Sequence, residues 1–150
     1  MSSSTSSNLW LIGAGQMAQD YVQVLKALQT PFKVIGRGKN SAVAFESAME
    51  ISVQTGGIEK ALQKEPPPET AIVAVGVEQL ASVSRKLLQA GIKRILLEKP
   101  GGMNLKELQQ LHSKAQSQQA EIWLAYNRRF YEATLKAQEI IKEDLGATSC

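Results

Sequence analysis

A short apolar segment that runs directly into two closely spaced glycines constrains this chain more than any other feature. The segment is Leu9–Ile12, and Gly13, Gly15 and Ala18 follow it in a G-x-G-x-x-A pattern. Gly13 permits a sharp turn, Gly15 leaves the backbone open to a ligand, and Ala18 lets a helix pack closely on the strand. The pattern therefore predicts a strand, a tight turn and a helix, with the N–H groups at the helix start placed to bind a pyrophosphate.

The fingerprint by itself is short, and two other interpretations stay open. Methyltransferases carry similar loops, and a plain strand-to-helix turn can show the same glycine spacing. The apolar strand before it and the amphipathic run after it favour a dinucleotide site. The cofactor-binding residues assigned to this loop are Gly13, Ala14, Gly15, Gln16 and Met17.

The residues that follow the second predicted strand, at 32–35, indicate which dinucleotide is bound. In this fold a residue about 20 positions past the glycines contacts the adenosine ribose, and an acidic one accepts from the 2′-hydroxyl of NAD. This chain has Arg37 there, with Lys39 and Ser41 close behind. Cations and a hydroxyl suit a 2′-phosphate, so we expect NADP(H) to be preferred, with NAD(H) as the second candidate. The alternative is a solvated basic loop.

The rest of the chain alternates apolar strands with amphipathic helices, which predicts an α/β, Rossmann-type doubly wound parallel sheet. Further strands are predicted at 51–53, 70–75, 94–97 and 122–125, and helices at 41–49 and 57–64. Asn104 and Glu107 are a predicted helix N-cap pair. The predicted apolar helix faces are Met17, Tyr21, Val24, Leu25 and Leu28; Leu80, Val83, Leu87 and Ala90; Leu105, Leu108, Leu111 and Ala115; and Ala137, Ile140, Ile141 and Leu145, before a stop at Gly146. The first and the third of these faces are expected to be buried.

Parallel strands bring their carboxyl ends to one edge of a sheet, so residues far apart in sequence are expected to face one crevice. Val75 and Gly76 follow one predicted strand, Glu98, Lys99 and Pro100 the next, and Tyr126, Asn127 and Arg128 the last.

Composition excludes several classes of protein. The 150 residues are 43% hydrophobic and 21% charged, with a net charge of +3 spread along the chain, so we expect a small-molecule ligand and no nucleic acid. No apolar run approaches the roughly 20 residues that span a bilayer, and the serine-rich start is not a secretory signal. The single cysteine, Cys150, favours a cytoplasmic location. We assign no metal-binding residues.

The glycine fingerprint, the strand ending in Glu98-Lys99-Pro100 and the later Arg128-Arg129-Phe130 resemble, in this order, the Gfo/Idh/MocA oxidoreductases. The resemblance implies that Lys99 lies beside the nicotinamide and the reacting substrate carbon, with a cis peptide bond before Pro100. A lysine there stabilises negative charge on the substrate oxygen or passes a proton. The resemblance also implies that the segment around Asn127 and Arg128 contacts cofactor or substrate. The alternative for that segment is a basic helix start packed on the sheet.

The sequence departs from the family pattern in two places. The loop after the fourth strand, 76–81, lacks the family's T-P-x-x-x-H, and the single histidine, His112, is expected on a helix surface. Family members also continue into a second domain that holds the substrate. We therefore expect a disordered tail at 1–8, the nucleotide-binding domain at 9–145, and the start of a substrate domain at 146–150.

The resulting hypothesis is an NADP(H)-dependent domain that, with a substrate domain, transfers hydride to or from a hydroxyl or carbonyl carbon of a sugar-like or cyclitol-like compound. A non-catalytic nucleotide sensor or scaffold is the alternative. Apolar surface at the domain junction is expected to favour self-association into homo-oligomers.

Overall fold

The computed structural model describes residues 9–143, in which six strands alternate with six α-helices. The strands are Leu9–Ile12 (β1), Lys33–Ile35 (β2), Val53–Gln54 (β3), Thr70–Val73 (β4), Arg94–Leu97 (β5) and Glu121–Leu124 (β6). The α-helices are Gln16–Ala27 (α1), Lys39–Met49 (α2), Gly57–Lys64 (α3), Val77–Gln89 (α4), Leu105–Ser117 (α5) and Glu132–Glu143 (α6), and a 3-10 helix spans Asn127–Phe130.

The six strands form one parallel sheet in the order β3-β2-β1-β4-β5-β6, which confirms the predicted Rossmann-type fold. Ile12 at the end of β1 pairs with Ile35 of β2 and with Val73 of β4, so the three central strands end level with one another. The chain crosses from one side of β1 to the other between β3 and β4. Ligands of open α/β sheets bind in the crevice at this point.

Two apolar cores cover the two faces of the sheet, because successive strand residues point to opposite sides. Leu9 and Leu11 of β1 pack with α1 and α2, whereas Trp10 and Ile12 pack with α3, α4 and α5. Burial on both faces explains why the central strands are continuous apolar runs.

The predicted elements are all present, with small shifts at their ends. Helix α2 begins two residues before the predicted start, β3 lies at Val53–Gln54 instead of 51–53, β4 ends at Val73 and β6 begins at Glu121. Pairing sets the strand bounds: Val53 is the first residue of its segment to face a partner, Val34.

The buried face predicted for α1 is wrong at three positions. Met17, Val24 and Leu28 are 38%, 54% and 67% exposed. Leu25 is buried as predicted, and the helix packs on the sheet through this residue together with Ala18 and Val22. The methyl group of Ala18 allows this side the closer approach, which decides between two stripes of similar hydrophobicity.

The other helices follow the prediction more closely. On α4, Leu80 and Leu87 are buried. On α5, Leu111 and Ala115 are buried, but Leu105, the first residue of the helix, is 68% exposed. The predicted cap of α5 is confirmed. The Asn104 side chain accepts from the Glu107 N–H at 3.0 Å, and the Glu107 carboxylate accepts from the Met103 N–H at 2.7 Å.

Helix α6 buries none of its residues, so the predicted apolar face that includes Ile140 and Ile141 lies on the surface of the described part of the chain. Both side chains are nearly half exposed. Leu145, Gly146 and the segments predicted at 1–8 and 146–150 lie outside the described residues. Among residues 9–143, no helix has the length and apolarity needed to cross a membrane.

Candidate cofactor-binding site

The turn after β1 is held closely against the end of β4. Gly13 has φ +127°, donates its N–H to the Ile35 carbonyl oxygen at 2.9 Å, and leaves so little room that a Cβ atom would lie 2.1 Å from the Ala74 carbonyl oxygen. Both the backbone conformation and the space require glycine. The position thus performs the role predicted for it.

Helix α1 presents an open N-terminus next to this turn. Its N-cap is Gly15, which offers no side chain to the first N–H groups, and its first turn contains no acidic residue. A Cβ atom on Gly15 would meet nothing within 4 Å. Unsatisfied N–H groups at the positive end of a helix, beside open space, fit a pyrophosphate.

The open space is a cavity of about 470 Å³ at the carboxyl edge of the sheet. None of the residues that line it carries a carboxylate, and Arg37 contributes a cation. Its lining joins the fingerprint to the ends of β2 and β4: Gly13, Ala14, Gly15, Gln16, Met17, Arg37, Gly38, Ser41, Ala74, Val75, Gly76 and Gln79. The structure thus brings together the cofactor residues predicted on three separate segments.

A second helix start lies beside Arg37. Gly38 is the N-cap of α2, it provides no side-chain cap, and the first turn of α2 contains no acidic residue. The Ser41 hydroxyl donates to the Gly38 carbonyl oxygen at 3.1 Å. Lys39 is exposed at the start of α2 and lies outside the lining of the cavity.

Arg37 also lines a smaller cavity of about 140 Å³, together with Glu59 and Lys86. Glu59 and Lys86 form an ion pair. The hydrogen bond from Lys86 and one from the backbone lower the pKa of Glu59, and the charges of Lys86 and Arg37 act in the same direction. Sequence reasoning missed Glu59 and Lys86, although Glu59 follows β3 closely and so had to lie near the same sheet edge.

Lys99 lies in a tight turn after β5. The Lys99–Pro100 peptide bond is cis, as the family resemblance implies, and the Gly101 N–H donates to the Glu98 carbonyl oxygen at 3.0 Å. Lys99 is exposed and lines a cavity of about 540 Å³ with residues that follow β6, which are Ala125, Tyr126, Asn127, Arg128, Arg129 and Thr134. The predicted lysine and the predicted Asn127 and Arg128 thus share one cavity, separate from the lining around the fingerprint. His112 is exposed on α5 and lines neither cavity.

The Glu98 side chain points away from solvent. It is 8% exposed and accepts a hydrogen bond of 2.6 Å from the hydroxyl of Tyr21 on α1. Burial, the hydrogen bond and the charge of Glu98 together raise the pKa of Tyr21. No sequence signal links these residues, which are 77 positions apart.

The parallel sheet, the glycine turn and the open helix start define a dinucleotide-binding Rossmann domain. A profile of the Gfo/Idh/MocA group, described as an oxidoreductase family with an NAD-binding Rossmann fold, matches residues 8–126. The chain therefore belongs to the Gfo/Idh/MocA oxidoreductase family, as the motifs predicted.

Individual proteins of known name or structure are similar to this chain over most of its length. Trans-1,2-dihydrobenzene-1,2-diol dehydrogenase of Mus musculus is 31% identical over 135 residues, which are 87% of this chain and 40% of that protein. The WlbA dehydrogenase of Bordetella pertussis, solved with NADH and UDP-GlcNAcA, superposes with a TM-score of 0.79 at 12% identity over 90% of this chain and 42% of that one. UDP-N-acetylglucosamine 3-dehydrogenase GnnA of Acidithiobacillus ferrooxidans superposes with a TM-score of 0.73 at 16% identity, over 88% of this chain and 41% of that one. The chain thus spans about two fifths of the length of these proteins.

Proposed function

We propose that this chain is the NADP(H)-binding part of an oxidoreductase that moves hydride to or from a hydroxyl or carbonyl carbon. The observation that carries the proposal is the cavity that joins the glycine fingerprint to Arg37 and Ser41. Its open α1 terminus fits the pyrophosphate, and its lining contains the groups that the 2′-phosphate on the adenosine ribose of NADP(H) needs.

The preference for NADP(H) over NAD(H) rests on charge at the end of β2. Arg37 and the uncapped start of α2 both favour an anion, and no carboxylate lines the cavity to accept from a free 2′-hydroxyl. A guanidinium binds phosphate through two parallel hydrogen bonds, which a ribose hydroxyl cannot match. Glu59 lies near Arg37, but its carboxylate forms an ion pair with Lys86 and does not line this cavity.

The proposed catalytic residue is Lys99. When bound, the nicotinamide supplies or accepts the hydride. The exposed Lys99 ammonium would stabilise negative charge on the substrate oxygen or exchange a proton with it. Asn127 and Arg128, which share its cavity, would contact the nicotinamide end of the cofactor or the substrate.

The proposed substrates are sugar-like or cyclitol-like compounds with a ring carbon that bears a hydroxyl group. The names of two similar proteins specify a cyclic diol and UDP-N-acetylglucosamine. We expect the substrate to be selected by residues of a second domain, because this chain spans 40% of the mouse protein. We also propose a cytoplasmic location, and self-association through the exposed apolar surface around the 3-10 helix and α6.

The deciding experiment is a calorimetric titration of the folded protein with NADPH and NADH side by side. We expect NADPH to bind at least about tenfold more tightly, as a charge-assisted phosphate contact implies. Equal affinities would leave the oxidoreductase assignment in place and remove the role of Arg37. Binding of neither by a folded chain would favour the scaffold alternative.

A further inference from the structure

A single side-chain hydrogen bond joins the fingerprint helix to the turn that carries Lys99. The Tyr21 hydroxyl donates to Glu98 Oε1 at 2.6 Å. Within residues 9–143, Glu98 is one of two buried polar or charged side chains, the other being Ser84, and it has no ion-pair partner there. A buried carboxylate needs a hydrogen-bond donor, so Tyr21 satisfies a group that would otherwise be costly to bury.

The backbone of this turn is fixed on both sides of Lys99. The Glu98 N–H donates to the Val73 carbonyl oxygen at 3.0 Å, which continues the pairing of β5 with β4. On the other side, Gly101 has φ +87°, and a Cβ atom there would lie 2.6 Å from Leu124 Cδ2. The hydrogen bond from Tyr21 to the Glu98 side chain is a third contact, and it ties the turn to α1.

The phenol of Tyr21 has an ordinary pKa of 10.0 and is protonated at neutral pH, and burial and the hydrogen bond to Glu98 raise that pKa further. Tyr21 is therefore a donor at neutral pH. The bond spans 77 positions of sequence and connects the helix beside the proposed pyrophosphate site to the turn beside the proposed nicotinamide site.

We propose that Tyr21 is a positioning residue for Lys99: by holding the Glu98 side chain against α1, it fixes the turn from which Lys99 reaches the nicotinamide end of the cofactor. This inference rests on the proposed function. It predicts that Tyr21 affects binding of the nicotinamide end and leaves binding of the adenosine end unchanged.

The test compares two ligands, NADPH and 2′-phospho-ADP-ribose, which lacks the nicotinamide. In Tyr21→Phe, the ratio of the two affinities should shift against NADPH by about fivefold, as expected for loss of a charge-assisted hydrogen bond. Tyr131→Phe, which removes the hydroxyl of an exposed tyrosine, is the matched control and should leave both affinities at the wild-type level.

An equal loss for both ligands, or no loss, in a folded Tyr21→Phe protein would overturn the inference while leaving the proposed function intact. Failure of the wild-type chain to bind either ligand would overturn both. If Tyr21→Phe does not fold, Glu98→Met gives the same comparison, since it keeps the length of the side chain and removes the acceptor of the Tyr21 hydroxyl. An unchanged ratio in Glu98→Met would also overturn the inference.

Discussion

The carbonyl oxygen of Ala74 lies where a side chain on Gly13 would have to be, 2.1 Å from an ideal Cβ atom. Gly15, two residues later, has nothing within 4 Å of its own Cβ position. The first glycine of the motif is therefore required by the fold, whereas the fold leaves room for a side chain at the second, which we propose is required by the ligand.

Alanine at these two positions should separate stability from binding. Gly13→Ala combines a backbone clash with an unfavourable φ, so we expect it to lose about 3 kcal/mol or more of the free energy of unfolding. Gly15→Ala should keep most of its stability and lose NADPH binding, because the methyl group enters the space proposed for the pyrophosphate. Urea denaturation and calorimetry measure the two effects, and normal NADPH affinity in Gly15→Ala would contradict the assigned cavity.

Reversing the charge at Arg37 should reverse the cofactor preference. In Arg37→Asp a carboxylate repels the 2′-phosphate of NADPH and can accept from the 2′-hydroxyl of NADH, so NADPH affinity should fall by about tenfold to a hundredfold. Lys106→Asp on the exposed start of α5 makes the same change in net charge outside the cavity and serves as the control. An unchanged ratio of the two affinities would show that Arg37 is a solvated loop residue.

Tyr21 should make the protein less stable in alkali. Its pKa is raised in the folded state, so above its ordinary value of 10.0 the unfolded chain releases the proton first. The contribution of Tyr21 to the free energy of unfolding is therefore fully present below pH 10. It is lost as the pH rises further, by at most about 1.4 kcal/mol per pH unit. Chemical denaturation at a series of pH values measures this loss. Tyr21→Phe should show a shallower decline, and an identical decline would mean that the hydroxyl is not buried against Glu98.

Replacing Lys99 should separate binding from chemistry. Because Lys99 is exposed at the apex of its turn, Lys99→Ala should fold normally and bind 2′-phospho-ADP-ribose with wild-type affinity. Hydride transfer should fall by about a hundredfold or more in a full-length protein tested on cyclic alcohols, as is typical for loss of a general acid–base group. Turnover that survives the substitution would remove Lys99 from the mechanism.

The apolar surface on α6 should make the chain self-associate. Leu135, Ile140 and Ile141 are exposed there, Phe130 is exposed on the 3-10 helix that contacts α6, and patches of this kind favour association. Sedimentation should show concentration-dependent oligomers that a double Ile140→Lys, Ile141→Lys variant reduces. Val43→Lys, an exposed apolar position on α2, is the matched control. A monomer at high protein concentration would argue against this surface as an interface.

The sequence predicted which strand ends lie together better than it predicted helix burial. Gly13, Arg37 and Gly76 could be placed together because parallel strands must end at one edge. The buried face of α1 could not be read in the same way, since Met17, Val24 and Leu28 form an apolar stripe as regular as that of Ala18, Val22 and Leu25. Periodicity indicates a helix, but only its packing on the sheet decides which of two stripes is covered.

Local sequence alone determined the order of strands and helices, the glycine turn, the capped start of α5 at Asn104 and the common edge of the strand ends. These features depend on period, backbone freedom and chain direction, which neighbouring residues specify. The tertiary structure decided the contact between Tyr21 and Glu98, the ion pair of Glu59 with Lys86 near Arg37, and the exposure of α6. Such contacts depend on distances between side chains of separate elements, which are fixed only when those elements pack around the sheet.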